Sequence, residues 1–219
     1  MSILDPKIRE HLDMLINRYP SLSNVQNEII AAYKLIQQSY SAGRKLLLCG
    51  NGGSASDSEH IVGELMKSFK LPRKLTDDFQ KKLIEANCEL GPILAKNLQG
   101  ALPAIALDGH FALTTAYMND VEPLLCFAQQ VYGFGVEGDV LLGISTSGNS
   151  KNVLYAATVA KAKGMKVIGL TGAKDSKLSA MADICVKVPS EETYQIQELH
   201  LPVYHCWCLM LEAAFFGNV

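Results

Sequence analysis

Five short apolar runs, spaced by stretches of helical periodicity, constrain this chain more than any other feature. They are Lys45–Cys49 (KLLLC), Ala104–Leu107, Asp139–Ile144 (DVLLGI), Lys166–Leu170 (KVIGL) and Ile184–Val188. Runs this short, apolar at successive positions, suit strands covered on both faces. Strands separated by helices imply right-handed parallel βαβ units, so the chain reads as α/β with a doubly wound sheet. Helices are expected over about Ser56–Phe69, Ser150–Lys163 and Thr193–Phe216. The first 42 residues read as helices, Leu4–Leu15 and about Ser23–Ser41, broken at Pro20, with Gly43 as a helix stop. Residues 68–100 fit the alternation poorly: they are charged, carry Pro72 and Pro92, and show helical patterns only around Asp77–Ala86 and Ile93–Leu98. They read either as a helical excursion that could serve as a lid, or as an insertion that packs against a neighbouring subunit.

Composition narrows the function. Of the 219 residues, 48% are apolar and 19% charged, enough for a sizeable core in one domain spanning 1–219. The net charge of −2 argues against a protein held to nucleic acid by a general basic field. Polar residues interrupt the apolar stretches, so no membrane span is expected. The N-terminus lacks the pattern of a signal peptide, which makes the cytoplasm the expected location. The six cysteines are scattered, mostly within apolar runs, and read as buried reduced thiols.

Two of the apolar runs enter loops of small hydroxyl residues and glycine, and each loop opens a helix. The first is Gly50-Asn51-Gly52-Gly53-Ser54-Ala55-Ser56; the second is Ser145-Thr146-Ser147-Gly148-Asn149-Ser150. A helix N-terminus presents unpaired N–H groups and partial positive charge, glycine lets the backbone approach, and hydroxyls donate further bonds to phosphate oxygens. Neither loop has G-x-G-x-x-G spacing or the lysine of a Walker loop. A phosphate monoester on a small molecule is therefore the expected ligand.

These motifs, GNGGSASDSEH (Gly50–His60) and GDVLLGISTSGNSKNV (Gly138–Val153), closely resemble the sugar isomerase (SIS) fold and, within it, the phosphoheptose isomerases. The likeness continues in GMKVIGLTG (Gly164–Gly172) and IQELHLPVYHCWCLMLE (Ile196–Glu212). It covers roughly residues 25–67 and 101–216. The resemblance implies a three-layer αβα sandwich with a five-stranded parallel sheet of flavodoxin-like order, N-terminal helices (1–42) and a helical insertion (68–100). It further implies a homotetramer that interconverts sedoheptulose 7-phosphate and a heptose 7-phosphate. By the same resemblance, Asn51, Gly52 and Gly53 line the sugar phosphate site, while Ser54, Ser145, Thr146, Ser147 and Ser150 hold the phosphate. Asn119 and Asp120 match a dipeptide that contacts the sugar. His60, Glu64, Gln197 and His205 match a set that binds Zn²⁺, one ion per subunit, and Gln197 also lies at the substrate. Glu64 and His205 resemble the acid/base pair. The long 68–100 segment, and Tyr194-Gln195 ahead of Ile196-Gln197 where many relatives carry an arginine, depart from the pattern, and both bear on substrate choice.

The chemistry is consistent with these residues. Aldose–ketose exchange needs a base at carbon, an acid at oxygen and stabilisation of an enediolate. His60 and Glu64, four apart on a helix, share a face and can meet one ligand; the alternative is a surface contact. Gln197 and His205 stand about 12 Å apart along a straight helix, so Pro202 or a subunit interface would have to bring them together. His200 reads as a packed histidine, His110 as a residue near the substrate, and His11 as one on an outer face. Two non-enzymatic readings compete: a sugar-phosphate sensor, and a scaffold like the tetramer that associates with the replication initiator DnaA. The presence of His60, Glu64, Gln197 and His205 together favours the enzyme, since a binding module has no need of them.

Overall fold

The computed structural model describes residues 4–217. Helices α1 (Pro6–Arg18) and α2 (Gln26–Ser41) precede a βα alternation: β1 (Leu46–Cys49), α3 (Gly53–Met66), α4 (Asp77–Ala86), α5 (Gly91–Asn97), β2 (Ala104–Ala106), α6 (Phe111–Asp120) and α7 (Cys126–Phe134). There follow β3 (Val140–Ile144), α8 (Lys151–Ala162), β4 (Lys166–Thr171), α9 (Lys177–Met181), β5 (Ile184–Lys187) and α10 (Thr193–Phe216). All pairings within the sheet are parallel and the strand order is β2-β1-β3-β4-β5, that of the flavodoxin-like doubly wound sheet the resemblance implies.

Alternation along each strand divides the core into two. Leu46 and Leu48, Val140 and Leu142, and Ile168 and Leu170 face α1, α2, α3 and α10. Leu47, Leu141 and Val167 face α7, α8 and α9 on the other side. Three layers result.

Three expectations change. First, α3 begins at Gly53, three residues early, because Gly52 takes φ +56° and turns the chain straight into the helix. Second, α6, α7 and α9 were not foreseen. α6 buries no residue, so it lacks an apolar stripe, and α9 has only five residues. Third, α10 is by length and composition apolar enough to cross a membrane. Its apolar side chains are instead part of the core: Ile196, Val203, Trp207, Met210 and Leu211 are buried, and the Trp207 indole donates to the Ile29 carbonyl at 3.0 Å. The helix runs on through the buried Pro202.

The apolar residues of α2 are likewise used within the chain. Ile29, Tyr33 and Ile36 are buried, and Ile30 and Leu35 pack on the same core. Exposed apolar surface lies elsewhere, on Phe79, Ile84, Ile93 and Leu94 of the excursion and on Phe111, Leu113 and Met118 of α6. The cysteines are free: Cys49, Cys126, Cys206 and Cys208 are buried, Cys185 is half-buried and Cys88 is exposed.

Candidate active site

Order reverses between β1 and β3, and an open α/β sheet binds ligands at such a switch point, beyond the carboxyl ends of the strands. The two serine–glycine loops leave the sheet there, side by side. Asn51 and Asn152 join them by a reciprocal amide pair, Nδ2 to Oδ1 at 3.0 Å one way and 2.7 Å the other. Neither N-cap residue, Gly52 or Ser150, caps its helix with a side chain, although Val153 N donates to Asn152 Oδ1 at 3.0 Å, and Ser54 N and Ala55 N donate to the carbonyls of Asn51 and Gly52 at 3.1 and 3.0 Å. The positive ends of both helices still point at the switch point, where an anion is favoured.

The second loop is internally braced. Ser145 Oγ accepts from Gly148 N at 3.1 Å and lies 3.1 Å from Ser150 Oγ, while Ser147 Oγ accepts from Asn149 N at 3.2 Å. Gly148 has φ +62°, and a Cβ there would strike Ser176 Oγ, so glycine is required twice over. Thr146, Ser147 and Asn149 edge a cleft of ≈ 260 Å³ that continues to Lys174 and Thr193. In the first loop Ser54 is buried in the first turn of α3, whereas Asn51, Gly52 and Gly53 are exposed.

The chemical groups stand where α3 packs on α10. His60 Nε2 lies 3.3 Å from Glu64 Oε1 and 3.5 Å from His205 Nε2. Glu64 Oε2 meets Lys67 Nζ at 3.3 Å. Phe69, from the start of the excursion, tilts against His205 with ring centroids 5.6 Å apart. Burial, reinforced by His60, pulls the pKa of His205 below the usual histidine value.

A hydrogen-bond chain lies behind His60. The Tyr204 hydroxyl donates to Asp57 Oδ1 at 3.1 Å and is 3.2 Å from His60 Nδ1. With its O–H directed at Asp57, the tyrosine oxygen accepts from His60 Nδ1–H, the tautomer that leaves a lone pair on Nε2 facing Glu64 and His205. Burial raises the Asp57 pKa, against the bond from Tyr204.

Such a lone pair beside a carboxylate oxygen invites a cation. Two ligands on one Zn²⁺ at about 2.0–2.1 Å in tetrahedral geometry stand about 3.3 Å from each other. The His60–Glu64 and His60–His205 separations fit that edge, so these donors suit the ion. As they stand, however, no group of three or more His, Cys, Asp or Glu among the described residues closes into a metal-holding set. Gln197 is placed differently: its amide nitrogen occupies the space a Cβ on Gly53 would need, at the opening of α3 rather than two turns along it.

Other expected residues fall as follows. Asn119 and Asp120 end α6, exposed, with the Asn119 amide donating to Asp120 Oδ1 at 2.9 Å. His200 is fully buried, and burial pulls its pKa down to about 4, which makes it a neutral core histidine. His110 packs against Phe134, ring centroids 5.4 Å apart. Asp57, Tyr204 and Asn152 were missed from sequence. Asp57 stands three residues before His60 and so shares its helix face, a signal that was there to read. Nothing local announces Tyr204 or Asn152.

A doubly wound sheet with two serine-rich anion loops at its switch point, and a His/Glu constellation beside them, defines a sugar isomerase (SIS) domain enzyme of the phosphosugar isomerase class. The SIS domain profile matches residues 85–172. The phosphoheptose isomerase of Aneurinibacillus thermoaerophilus is 35% identical over 216 residues, covering 94% of this chain and 96% of that one. Two solved phosphoheptose isomerases are similar throughout. That of Francisella tularensis has TM-score 0.73 and 32% identity over 94% of this chain and 96% of its own. That of Neisseria gonorrhoeae has TM-score 0.71 and 30% identity over 94% and 97%. The chain belongs to the phosphoheptose isomerase family.

Proposed function

We propose that this isomerase interconverts sedoheptulose 7-phosphate and D-glycero-D-manno-heptose 7-phosphate through an enediol. The observation that carries the reading is the meeting of His60, Glu64 and His205 across α3 and α10, beside two loops built for a phosphate. Ser145, Thr146, Ser147 and Ser150, with the N-termini of α3 and α8, hold the phosphate. Asn51, Gly52, Gly53 and Gln197 line the sugar. Asn119 and Asp120 join them at the sugar if α6 is drawn in by a neighbouring subunit.

Glu64 takes the proton from C1 of the ketose and returns it at C2, while His205 gives a proton to the C2 oxygen and removes one from the C1 hydroxyl. Bonds and charges balance, and the enzyme ends as it began. The lowered pKa of His205 keeps its imidazole neutral near pH 7, able to move a proton in either direction. Zn²⁺ would be held by His60, Glu64 and His205 and would supply Lewis-acid polarisation of the carbonyl, while Gln197, beside Gly53 two turns away, is left to the sugar. The assembly is a cytoplasmic homotetramer whose contacts use the exposed apolar faces of α6 and of the α4–α5 excursion.

A panel of C5 to C7 ketose and aldose phosphates, assayed before and after chelation and zinc return, tests this. Turnover confined to the C7 pair and restored by zinc is expected. Preference for a C5 or C6 substrate would displace the heptose assignment, and full activity in chelator would remove the metal.

A further inference from the structure

The C-terminus of α3, the helix that carries His60 and Glu64, has no cap of its own. Lys67 follows it in extended conformation, with φ −138° and ψ 174°, so the last carbonyls need partners from elsewhere. Arg73 reaches two of them, one of which, the Leu65 carbonyl, also accepts from Leu102 N at 3.0 Å. Its Nη2 donates to the carbonyl of Glu64 itself at 2.8 Å and its Nη1 to that of Leu65 at 2.7 Å. The third nitrogen, Nε, donates to Glu212 Oε1 at 2.8 Å. Glu212 also accepts from the backbone N–H groups of Phe69, Lys70 and Leu71 at 2.8–3.0 Å. Both side chains are closed to solvent, at 0% and 1% exposure.

A buried ion pair is seldom the best route to stability, because apolar side chains of like volume do about as well. What this pair supplies is geometry. The planar guanidinium fixes three acceptors at once, in a way no apolar side chain and no lysine can. It sets the last turn of α3, and with it the backbone from which the Glu64 carboxylate projects. The same residue closes the neck of the excursion, where the Arg73 carbonyl accepts from Gly100 N at 2.7 Å. We infer that Arg73 is a positioning residue for Glu64, held in place by Glu212, so that catalysis depends on a guanidinium that never touches substrate. This rests on the reading of Glu64 as the base.

The test compares full-length wild type, Arg73→Lys, Arg73→Met, the double variant Arg73→Met/Glu212→Gln, and Glu64→Gln. Each is assayed with sedoheptulose 7-phosphate and melted. Arg73→Met alone leaves a buried carboxylate unpaired and lowers Tm by about 10 °C. The double variant removes that charge and recovers part of the loss, since a glutamine keeps one of the two accepting oxygens. If Arg73 positions Glu64, kcat in both Arg73→Lys and the double variant falls about 10- to 100-fold while KM stays within about twofold. Recovery of kcat along with Tm in the double variant would show that the pair only holds the fold together, and the inference would be wrong. A rise in KM with kcat unchanged would overturn it equally. Should the double variant not fold, Arg73→Lys decides by the same split. Normal turnover in Glu64→Gln sinks the base assignment and this inference with it. Loss of turnover there, beside wild-type kcat in the folded Arg73 variants, sinks the inference alone.

Discussion

The two ends of the site are built in different ways. At the phosphate end the second loop is braced by short-range bonds, Ser145 to Ser150 and Gly148 and Ser147 to Asn149, all within six residues, and the Asn51–Asn152 amide pair ties it to the first loop. At the chemical end they join residues far apart in the chain, Asp57 to Tyr204, His60 to His205, and Arg73 to Glu212. A loop of serines and glycines carries its own geometry. A base and an acid placed on two helices depend on how those helices pack. Mutation should therefore act locally at the first end and cooperatively at the second.

The largest expected effect is at the chemical end. Glu64→Gln should lower kcat by about two to four orders of magnitude, the usual range for a lost general base, with KM little changed. Steady-state kinetics with the C7 ketose phosphate checks it, and a loss confined to KM would make the two ends alike.

Next is a stability effect on α10, the helix that carries His205. His200 binds its proton near pH 6.5 when unfolded and near pH 4 when folded, so folding disfavours its charged form. Its penalty is absent above about pH 6.5, grows as pH falls, and levels off below about pH 4, where it reaches about 3 kcal/mol. Urea midpoints at pH 7 and pH 4.5 should diverge less in His200→Gln than in wild type. Equal divergence would place the acid sensitivity elsewhere.

Smaller again is Tyr204→Phe, which removes the donor to Asp57 and frees the tautomer of His60. A loss of about tenfold in kcat is expected, the low end for a residue that orients a site histidine. Nitrogen chemical shifts of His60 should move from the Nδ1–H form to a mixture. Unchanged shifts would mean that the tyrosine only packs.

The smallest belongs to the phosphate end. Ser147→Ala removes one bond to a group equally bound in ground and transition states, so KM should rise about tenfold with kcat within about twofold. A collapse of kcat instead would erase the distinction between the two ends.

The same division explains what could be read from sequence. The strands were legible because each is a compact apolar run, fully buried in β1 and β3 and partly so at the edges β2 and β5, and the flavodoxin-like winding came with the resemblance. The serine loops were legible because their residue types are their function. His60 and Glu64 were legible as a helical pair. Their meeting with His205 rested on resemblance, since no spacing connects residues 145 apart in the chain. Arg73 and Glu212 were invisible: an arginine in a charged, proline-bearing stretch gives no sign of complete burial. The many apolar residues of α2 give no sign of where they go; the chain buries them itself, and the apolar residues of α6 and the excursion stay exposed. α6 escaped notice because it exposes apolar residues around most of its circumference.

The reciprocal amide pair between Asn51 and Asn152 has a consequence for time rather than for affinity. Each side chain is donor and acceptor at once, so the two anion loops are latched and neither swings without breaking two bonds. A receptor already in its bound shape has no closing step to wait for, and its capture of ligand is governed by collision and orientation. Selectivity at this end would then reside in how long a ligand stays, and phosphorylated compounds of the wrong chain length should arrive as fast as the right one and depart sooner.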